Sequence, residues 1–260
     1  MGHEIESIIL GLIQGLTEWF PVSSSGHLRL ARILLGLELP MLFDVILHVG
    51  TLLVTIIFFR RDVKGILGAL IKFDFKSYYG RLMQLIILGS LSTLPTSLAT
   101  YMVLGKFFSN LTLIAAAFIL TGLIVYFSKT GKKEKEYVDY RSAIVIGLAQ
   151  GFSIVPGLSR SGLTIAAALL LGVKHEEAFR FSFLLSIPAV LGALTLALCT
   201  QSGIPSSSNV GCLDLLIGGM ASMIVGYFSI KALRALLHKF YMFSLYPISL
   251  GLLIIAIEII

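Results

Sequence analysis

Pro156-Gly157-Leu158-Ser159-Arg160-Ser161-Gly162-Leu163-Thr164 sets one guanidinium and three hydroxyls into nine residues of an otherwise apolar neighbourhood. An arginine at bilayer depth costs about 3 to 15 kcal/mol, so it persists where it meets an anion or lines a wet cavity. Arg160 is therefore a candidate functional residue, with a structural clamp on backbone carbonyls as the plain alternative. Small and hydroxyl-bearing neighbours let backbone N–H groups approach a ligand, and Ser161 is placed to cap a helix starting near Gly162. Helix N-termini and guanidinium forks both suit the oxygens of a phosphate.

The rest of the chain is that of a membrane protein. Of its 260 residues 57% are hydrophobic and 13% charged, against about 25% charged in soluble domains. Charges crowd between the apolar runs, as in polytopic helical proteins. The net charge of +6 then belongs to loops lying against anionic lipid heads, and no nucleic-acid motif accompanies it. Met1 to Glu6 is acidic and lacks a basic region and a small-residue cleavage site, so the first helix is expected to stay in the mature protein. Cys199 and Cys212 flank a short polar loop; a pair of buried free thiols is expected, with a disulfide as the alternative.

Residues 4 to 19 have a helical apolar pattern, but Pro21 and Ser23-Ser24-Ser25-Gly26 stop it after about 24 Å, too short to cross. A second short segment, His27 to Leu35, ends at Gly36, and the two predict a re-entrant hairpin over 4–36. Crossing-length runs follow at about 41–59, 82–104 and 109–128. Residues 142–155 and 162–172 repeat the broken pattern, and three further runs cover about 177–199, 212–230 and 241–260. At an offset of 136, Gly11, Leu12, Gln14, Gly15, Ser23, Ser25, Gly26, Ala31, Leu34, Leu35 and Gly36 match Gly147, Leu148, Gln150, Gly151, Ser159, Ser161, Gly162, Ala167, Leu170, Leu171 and Gly172 without a gap. Glycines, a glutamine and serines are among the matches, so shared greasiness does not explain them, and the chain is an internal duplication.

Arg60, Arg61, Lys64, Lys72, Lys76 and Arg81 mark a 60–81 loop as cytoplasmic, as do Lys129, Lys132, Lys133, Lys135 and Arg141 for the 129–141 linker. The turn near Lys106 and the uncharged stretch from Gln201 to Gly211 then fall outside, with both termini. The expected fold is an all-α polytopic membrane protein with an inverted-topology repeat: a first repeat over 1–128, a charged cytoplasmic linker over 129–141 and a second repeat over 142–260. Each repeat holds one re-entrant hairpin, at 4–36 and 142–172, and three of about six transmembrane helices, so odd crossing numbers invert one half relative to the other.

Gln14 and Glu18 lie four apart and project from one helix face toward the first hairpin tip. Glu18 could hold a divalent cation, act as a base, or simply touch water at the hairpin mouth. Ser23, Ser24 and Ser25 are nucleophiles, phosphate ligands or caps, and His27 is a proton carrier or a helix-start residue bonded to a carbonyl. Asp44 and His48, one turn apart on the next helix, look more like a polar contact than a catalytic pair. Thr164 is a ligand or bonds back to its own helix. Trp19 and Phe20 are expected to mark depth or touch lipid.

Gln14 with Glu18, Pro21-Val22-Ser23-Ser24-Ser25-Gly26-His27 and Pro156 to Thr164 closely resemble the two signature motifs of the undecaprenyl-diphosphate phosphatase family, the bacitracin-resistance proteins. The resemblance covers the whole chain, including Phe43-Asp44 to Gly50-Thr51, and Gln14 stands where some members carry a second carboxylate. It implies a cell-membrane hydrolase that takes the terminal phosphate from a polyprenyl diphosphate lipid, recycling the carrier for cell-wall polymers and conferring bacitracin resistance. It further implies catalytic roles for Glu18, Ser24, His27 and Arg160. Gln14, Ser23, Ser25, Ser159, Arg160, Ser161 and Thr164 would bind substrate, Glu18 would hold a divalent cation such as Mg or Ca, and the site would open to the extracytoplasmic side.

Serine, histidine and a Glu18-activated water remain open as the attacking group, and self-association into a homo-oligomer is open as well. A lipid transporter or flippase is the competing reading, because broken helices in inverted repeats are also the plan of secondary transporters. An imidazole and serines opposite Arg160 favour catalysis over transport.

Overall fold

The computed structural model describes residues 4–132, 134–200 and 211–259. Met1 to His3, Lys133, the stretch from Gln201 to Val210 and Ile260 lie outside the described residues. Those described form eleven α-helices, and five helices are long and apolar enough to cross a membrane, or six with one bent pair.

The first helix, α1 (Glu4–Thr17), stops short of a crossing, and α2 (Ser24–Leu35) turns back from it. The Ser23 hydroxyl accepts the Gly26 N–H and so starts α2, where the next turn would otherwise leave a donor bare. Gly36, at φ +65°, ends it by turning the N–H groups of Gly36 and Leu37 back onto the carbonyls of the last turn. The second hairpin is built alike from α7 (Tyr140–Phe152) and α8 (Arg160–Leu170), with Ser159 accepting the Gly162 N–H and Gly172 at φ +89° closing the far end. The cap is thus Ser159, and the helix begins at Arg160; Ser161, expected to be the cap, lies inside the first turn.

Between the hairpins run α3 (Met41–Phe58), α4 (Arg60–Ile71), α5 (Tyr78–Leu104) and α6 (Leu111–Phe127). After the second come α9 (His175–Thr200), α10 (Cys212–Ala235), a 3-10 segment over Leu237–Ser244 and α11 (Leu245–Ile259). The basic 60–81 stretch is largely not a loop: at Phe59 the chain bends by 84° and continues as α4. No proline interrupts residues 60–71, and Leu67, Leu70 and Ile71 are exposed beside its charges, the composition of a helix lying along an interface. The last predicted run is likewise divided, its start being the 3-10 segment.

The hairpins pack reciprocally, α1 against α10 and α7 against α5, each on a long helix of the other half. Small residues permit this closeness: a Cβ on Gly15 would lie 2.7 Å from the Ser222 carbonyl oxygen of α10. Trp19 is 1% exposed and sits edge-on to Phe183 at 5.1 Å, so it is a core residue and not a depth marker. Phe179 follows at 4.8 Å from Phe183, and Phe59 at 5.6 Å from Phe179, giving an aromatic column along the molecule. Cys199 and Cys212 are free thiols and both are exposed, contrary to the expected burial.

Candidate active site

The two hairpin tips interlock through their turns. Ser23, a non-glycine residue at φ +67°, accepts the Gly157 N–H at 3.1 Å and donates to the Leu158 carbonyl at 3.3 Å. A left-handed serine is uncommon and is held here by contacts from the other half of the chain. Thr121 of α6 steadies the second tip, donating to the Gly157 carbonyl at 2.9 Å and accepting the Ser159 N–H at 3.1 Å. The Ser161 hydroxyl donates to the Phe20 carbonyl at 3.1 Å. Gly26 admits the approach, since a Cβ there would stand 2.5 Å from Phe118 and 3.0 Å from Gly157.

This clamp brings Glu18, Ser24 and Arg160 into contact. Arg160 donates through Nη2 to Glu18 Oε1, forming a buried ion pair across the hairpins. The other carboxylate oxygen, Oε2, accepts the Ser24 hydroxyl at 2.5 Å and the Gln14 amide at 3.0 Å. Gln14 also reaches Thr51 on α3 at 3.5 Å, which fixes its amide from a second side. Arg160 Nη1 is buried and has no hydrogen-bond partner among the described residues, and its guanidinium lies 5.5 Å from the centre of the Phe183 ring.

A cavity of about 630 Å³ opens on this cluster, lined by Glu18, Ser23, Ser24, Ser25, Ser159 and Arg160. Arg29, Arg32, Asp44 and His48 form its outer polar wall, and Leu28, Tyr101, Phe108, Ile154, Val190 and Ala193 an apolar one. Arg32 bonds Asp44 at 2.6 Å. His48 donates through Nδ1 to its own helix carbonyl, Asp44 O, at 2.8 Å, and its Nε2 lies 3.6 Å from Glu18 Oε2.

Several expected site residues are placed elsewhere. His27 does not line this cavity; its Nδ1 is 2.7 Å from the Ser23 carbonyl, so that nitrogen is the donor, and its Nε2 is 2.7 Å from the Tyr246 hydroxyl. The ring stacks on Tyr246 and stands edge-on to Phe118. The structure thus puts His27 against α11 and α6, while His48 supplies the imidazole beside Glu18. Thr164 donates back to Arg160 O at 2.8 Å and meets Ser182 at 2.5 Å, and Ser161 is fully buried between the tips, so neither faces the cavity. Gln14 reaches it only through Glu18.

Arg29 and Arg32 join the site without having been expected there, although the signal is that of Arg160: both are cations in a short apolar helix beside the serine turn.

For a divalent cation the protein's own donors are few. Among the described residues no three His, Cys, Asp or Glu side chains form a metal-binding group, so the protein alone offers no cage. Two carboxylates, Glu18 and Asp44, line the cavity, which suits a cation that brings most of its ligands as phosphate oxygens and water.

Fold and site together define a multi-pass membrane protein whose broken helices carry an arginine and a carboxylate-bound serine into a cavity fit for a phosphate-bearing amphiphile. The family model described as bacitracin resistance protein BacA matches residues 7–253, and the chain belongs to that family. It is 40% identical over 265 residues to the undecaprenyl-diphosphatase of Carboxydothermus hydrogenoformans, covering 98% of both chains. Similar proteins of the same name occur in Korarchaeum cryptofilum, 36% identical over 97% of this chain and 98% of that one, and in Methanosphaera stadtmanae, 34% identical over 98% of both.

Proposed function

We propose that this protein hydrolyses a polyprenyl diphosphate, undecaprenyl diphosphate by analogy with the relatives' name, to the monophosphate and inorganic phosphate. Such a reaction returns a lipid carrier to cell-wall polymer synthesis. One observation carries the reading: Arg160 holds Glu18 with one amino group while the other, Nη1, is buried in the same cluster and unpaired among the described residues. A buried donor without an acceptor is costly, and a phosphate oxygen satisfies it while a guanidinium neutralises its charge.

In this reading Ser24 gives its proton to Glu18, to which it is already bonded at 2.5 Å, as its oxygen attacks the terminal phosphorus. The bond from that phosphorus to the bridging oxygen breaks, and the polyprenyl monophosphate leaves with the electron pair. Glu18 passes that proton to the departing monophosphate; it then takes a proton from the water that attacks the serine phosphate and returns it to the Ser24 oxygen as the phosphorus–serine bond breaks, releasing inorganic phosphate and restoring the hydroxyl. Arg160 and the tip N–H groups stabilise charge on the transferring group, the main task in phosphoryl transfer. Ser23, Ser25 and Ser159 face the same cavity as further oxygen ligands or donors. Ser161 and Thr164 act through the backbone they hold. His48 orients Glu18, and His27 ties the Ser23 turn to Tyr246. A divalent cation such as Mg or Ca, held by Glu18, would add charge neutralisation on the diphosphate.

The apolar wall beside the cavity suits the first prenyl units, with the remainder of the chain in lipid. The two halves are inverted repeats spanning 1–128 and 142–260, a relation supported by their matched hairpins and reciprocal packing. With the basic α4 and 129–141 linker on the cytoplasmic side, both termini and the cavity face the extracytoplasmic side.

The test is phosphate release from farnesyl or undecaprenyl diphosphate in detergent, comparing the unmodified protein with Arg160→Ala and Ser24→Ala. Turnover by the unmodified protein and its loss in both variants is expected. Headgroup binding with no release by the unmodified protein would favour a flippase. Activity unchanged after thorough chelation would remove the cation from the reaction.

A further inference from the structure

A second cavity, of about 730 Å³, lies at the opposite end of the molecule from the active site. Two helices reach both. α3 gives Asp44 and His48 to the active-site cavity and Ile57 and Phe58 to the second; α9 gives Glu177 and Arg180 to the second and Ser186 and Val190 to the first. From Asp44 to Phe58 the helix rises about 21 Å, and the aromatic column of Phe59, Phe179 and Phe183 fills the space between.

Six cations and four carboxylates line this second cavity. All four carboxylates are engaged by three of the cations: Arg180 with Asp62 at 2.5 Å and Glu177 at 3.2 Å, Lys174 with Glu136 at 2.9 Å, and Arg234 with Glu176 at 3.3 Å. Arg60, Arg61 and Lys231 remain, exposed and without an ion pair among the described residues. Lys231 is steadied over the Tyr227 ring at 4.1 Å. Six cations against four carboxylates leave an excess of two positive charges around one concavity, with three of the cations free of a carboxylate partner among the described residues, so its charge favours an anion.

The surroundings specify a lipid. α4 leaves α3 at 84° and carries exposed Leu67, Leu70 and Ile71, so it lies along the membrane surface and sets Arg60 and Arg61, at its start, at headgroup depth. Half-exposed Ile57 and Tyr227 on the cavity wall offer apolar surface to acyl chains, which a free phosphate would not use. We propose that this cavity binds the headgroup phosphate of an anionic glycerophospholipid, held by Arg60, Arg61 and Lys231.

The experiment is native mass spectrometry of the full chain after equilibration with phosphatidylglycerol and phosphatidylcholine in equal amounts. The unmodified protein should retain phosphatidylglycerol preferentially, and each of Arg60→Gln, Arg61→Gln and Lys231→Gln should weaken that retention about fivefold. Arg60→Lys and Arg61→Lys should keep most of it. Hydrolysis of polyprenyl diphosphate in detergent should be unchanged in all of them, which also shows that they fold. Equal retention of the two lipids, or selectivity undiminished in the glutamine variants, would overturn the proposal. Displacement of the bound lipid by millimolar inorganic phosphate would make this a small-anion site and overturn the lipid assignment.

Discussion

Ser24 and Arg160 occupy the same position in two related helices: each is the first residue after a capping serine, 136 positions apart, and the two bind different oxygens of the Glu18 carboxylate. In the duplication proposed above the two tips are alike in backbone, and at this helical position one carries a hydroxyl and the other a guanidinium. Glu18 itself is matched by Ile154 in the second copy, and His27 by Leu163, so the pair of tips is chemically asymmetric although their backbones correspond.

Arg160→Ala should lower kcat/KM by two or more orders of magnitude, the usual loss on removing a principal electrostatic stabiliser. Arg160→Lys should recover little of it, because an ammonium lacks the second amino group that Nη1 supplies here. Steady-state phosphate release checks both.

Glu18→Gln leaves a guanidinium buried without its counter-charge and should destabilise the protein by about 3 kcal/mol. The double variant Glu18→Gln/Arg160→Gln should regain much of the thermal stability in detergent while remaining inactive. Equal melting temperatures for the single and double variants would contradict an energetic coupling of the pair.

Ser24→Ala should abolish a phosphoserine intermediate trapped by rapid acid quench, and with it at least a hundredfold of turnover. Activity within tenfold of the unmodified protein would instead assign attack to a Glu18-activated water. His48→Gln should lower kcat about tenfold with little change in melting temperature. His27→Gln should resemble Tyr246→Phe, each losing about 1 kcal/mol with the shared hydrogen bond. A far larger loss of turnover in His27→Gln than in Tyr246→Phe would place that imidazole in the chemistry.

Gly26→Ala should cost about 1 to 3 kcal/mol, since the added methyl meets Phe118 at 2.5 Å and the Gly157 backbone at 3.0 Å. Because this forces the tips apart, activity should fall with stability, as a melting curve and an assay on one preparation will show.

Asp139 caps α7, accepting Lys135 Nζ at 2.8 Å and the Ser142 N–H at 2.7 Å. The Lys135 bond first and then the backbone bond at Ser142 draw its pKa from 3.8 down to about 2. A carboxylate depressed in the folded state contributes stability above its unfolded pKa and loses it as pH falls through the folded one. The melting-temperature gap between the unmodified protein and Asp139→Asn should therefore be full above pH 4 and vanish near pH 2, and it should be small because the pair is exposed.

The membrane class, the two broken segments, the residues at their tips and the matching positions between them are legible in the chain alone. Proline, glycine and serine punctuate a helix locally, and an arginine in apolar surroundings demands a partner wherever the chain takes it. Local rules also offered a serine cap at each tip, although at the second they pointed to Ser161 where the cap is Ser159, and they allowed Gln14 and Glu18 to share a face. Packing in three dimensions was needed to show that Glu18 is the partner of Arg160, that His48 and not His27 stands beside it, that Trp19 is core, and that Arg29 and Arg32 wall the cavity. Each residue turns a helix by about 100°, so sequence fixes which side chains share a face, while the packing of α2 against α6 and α11, and of α3 against α9 and α10, decides what that face meets.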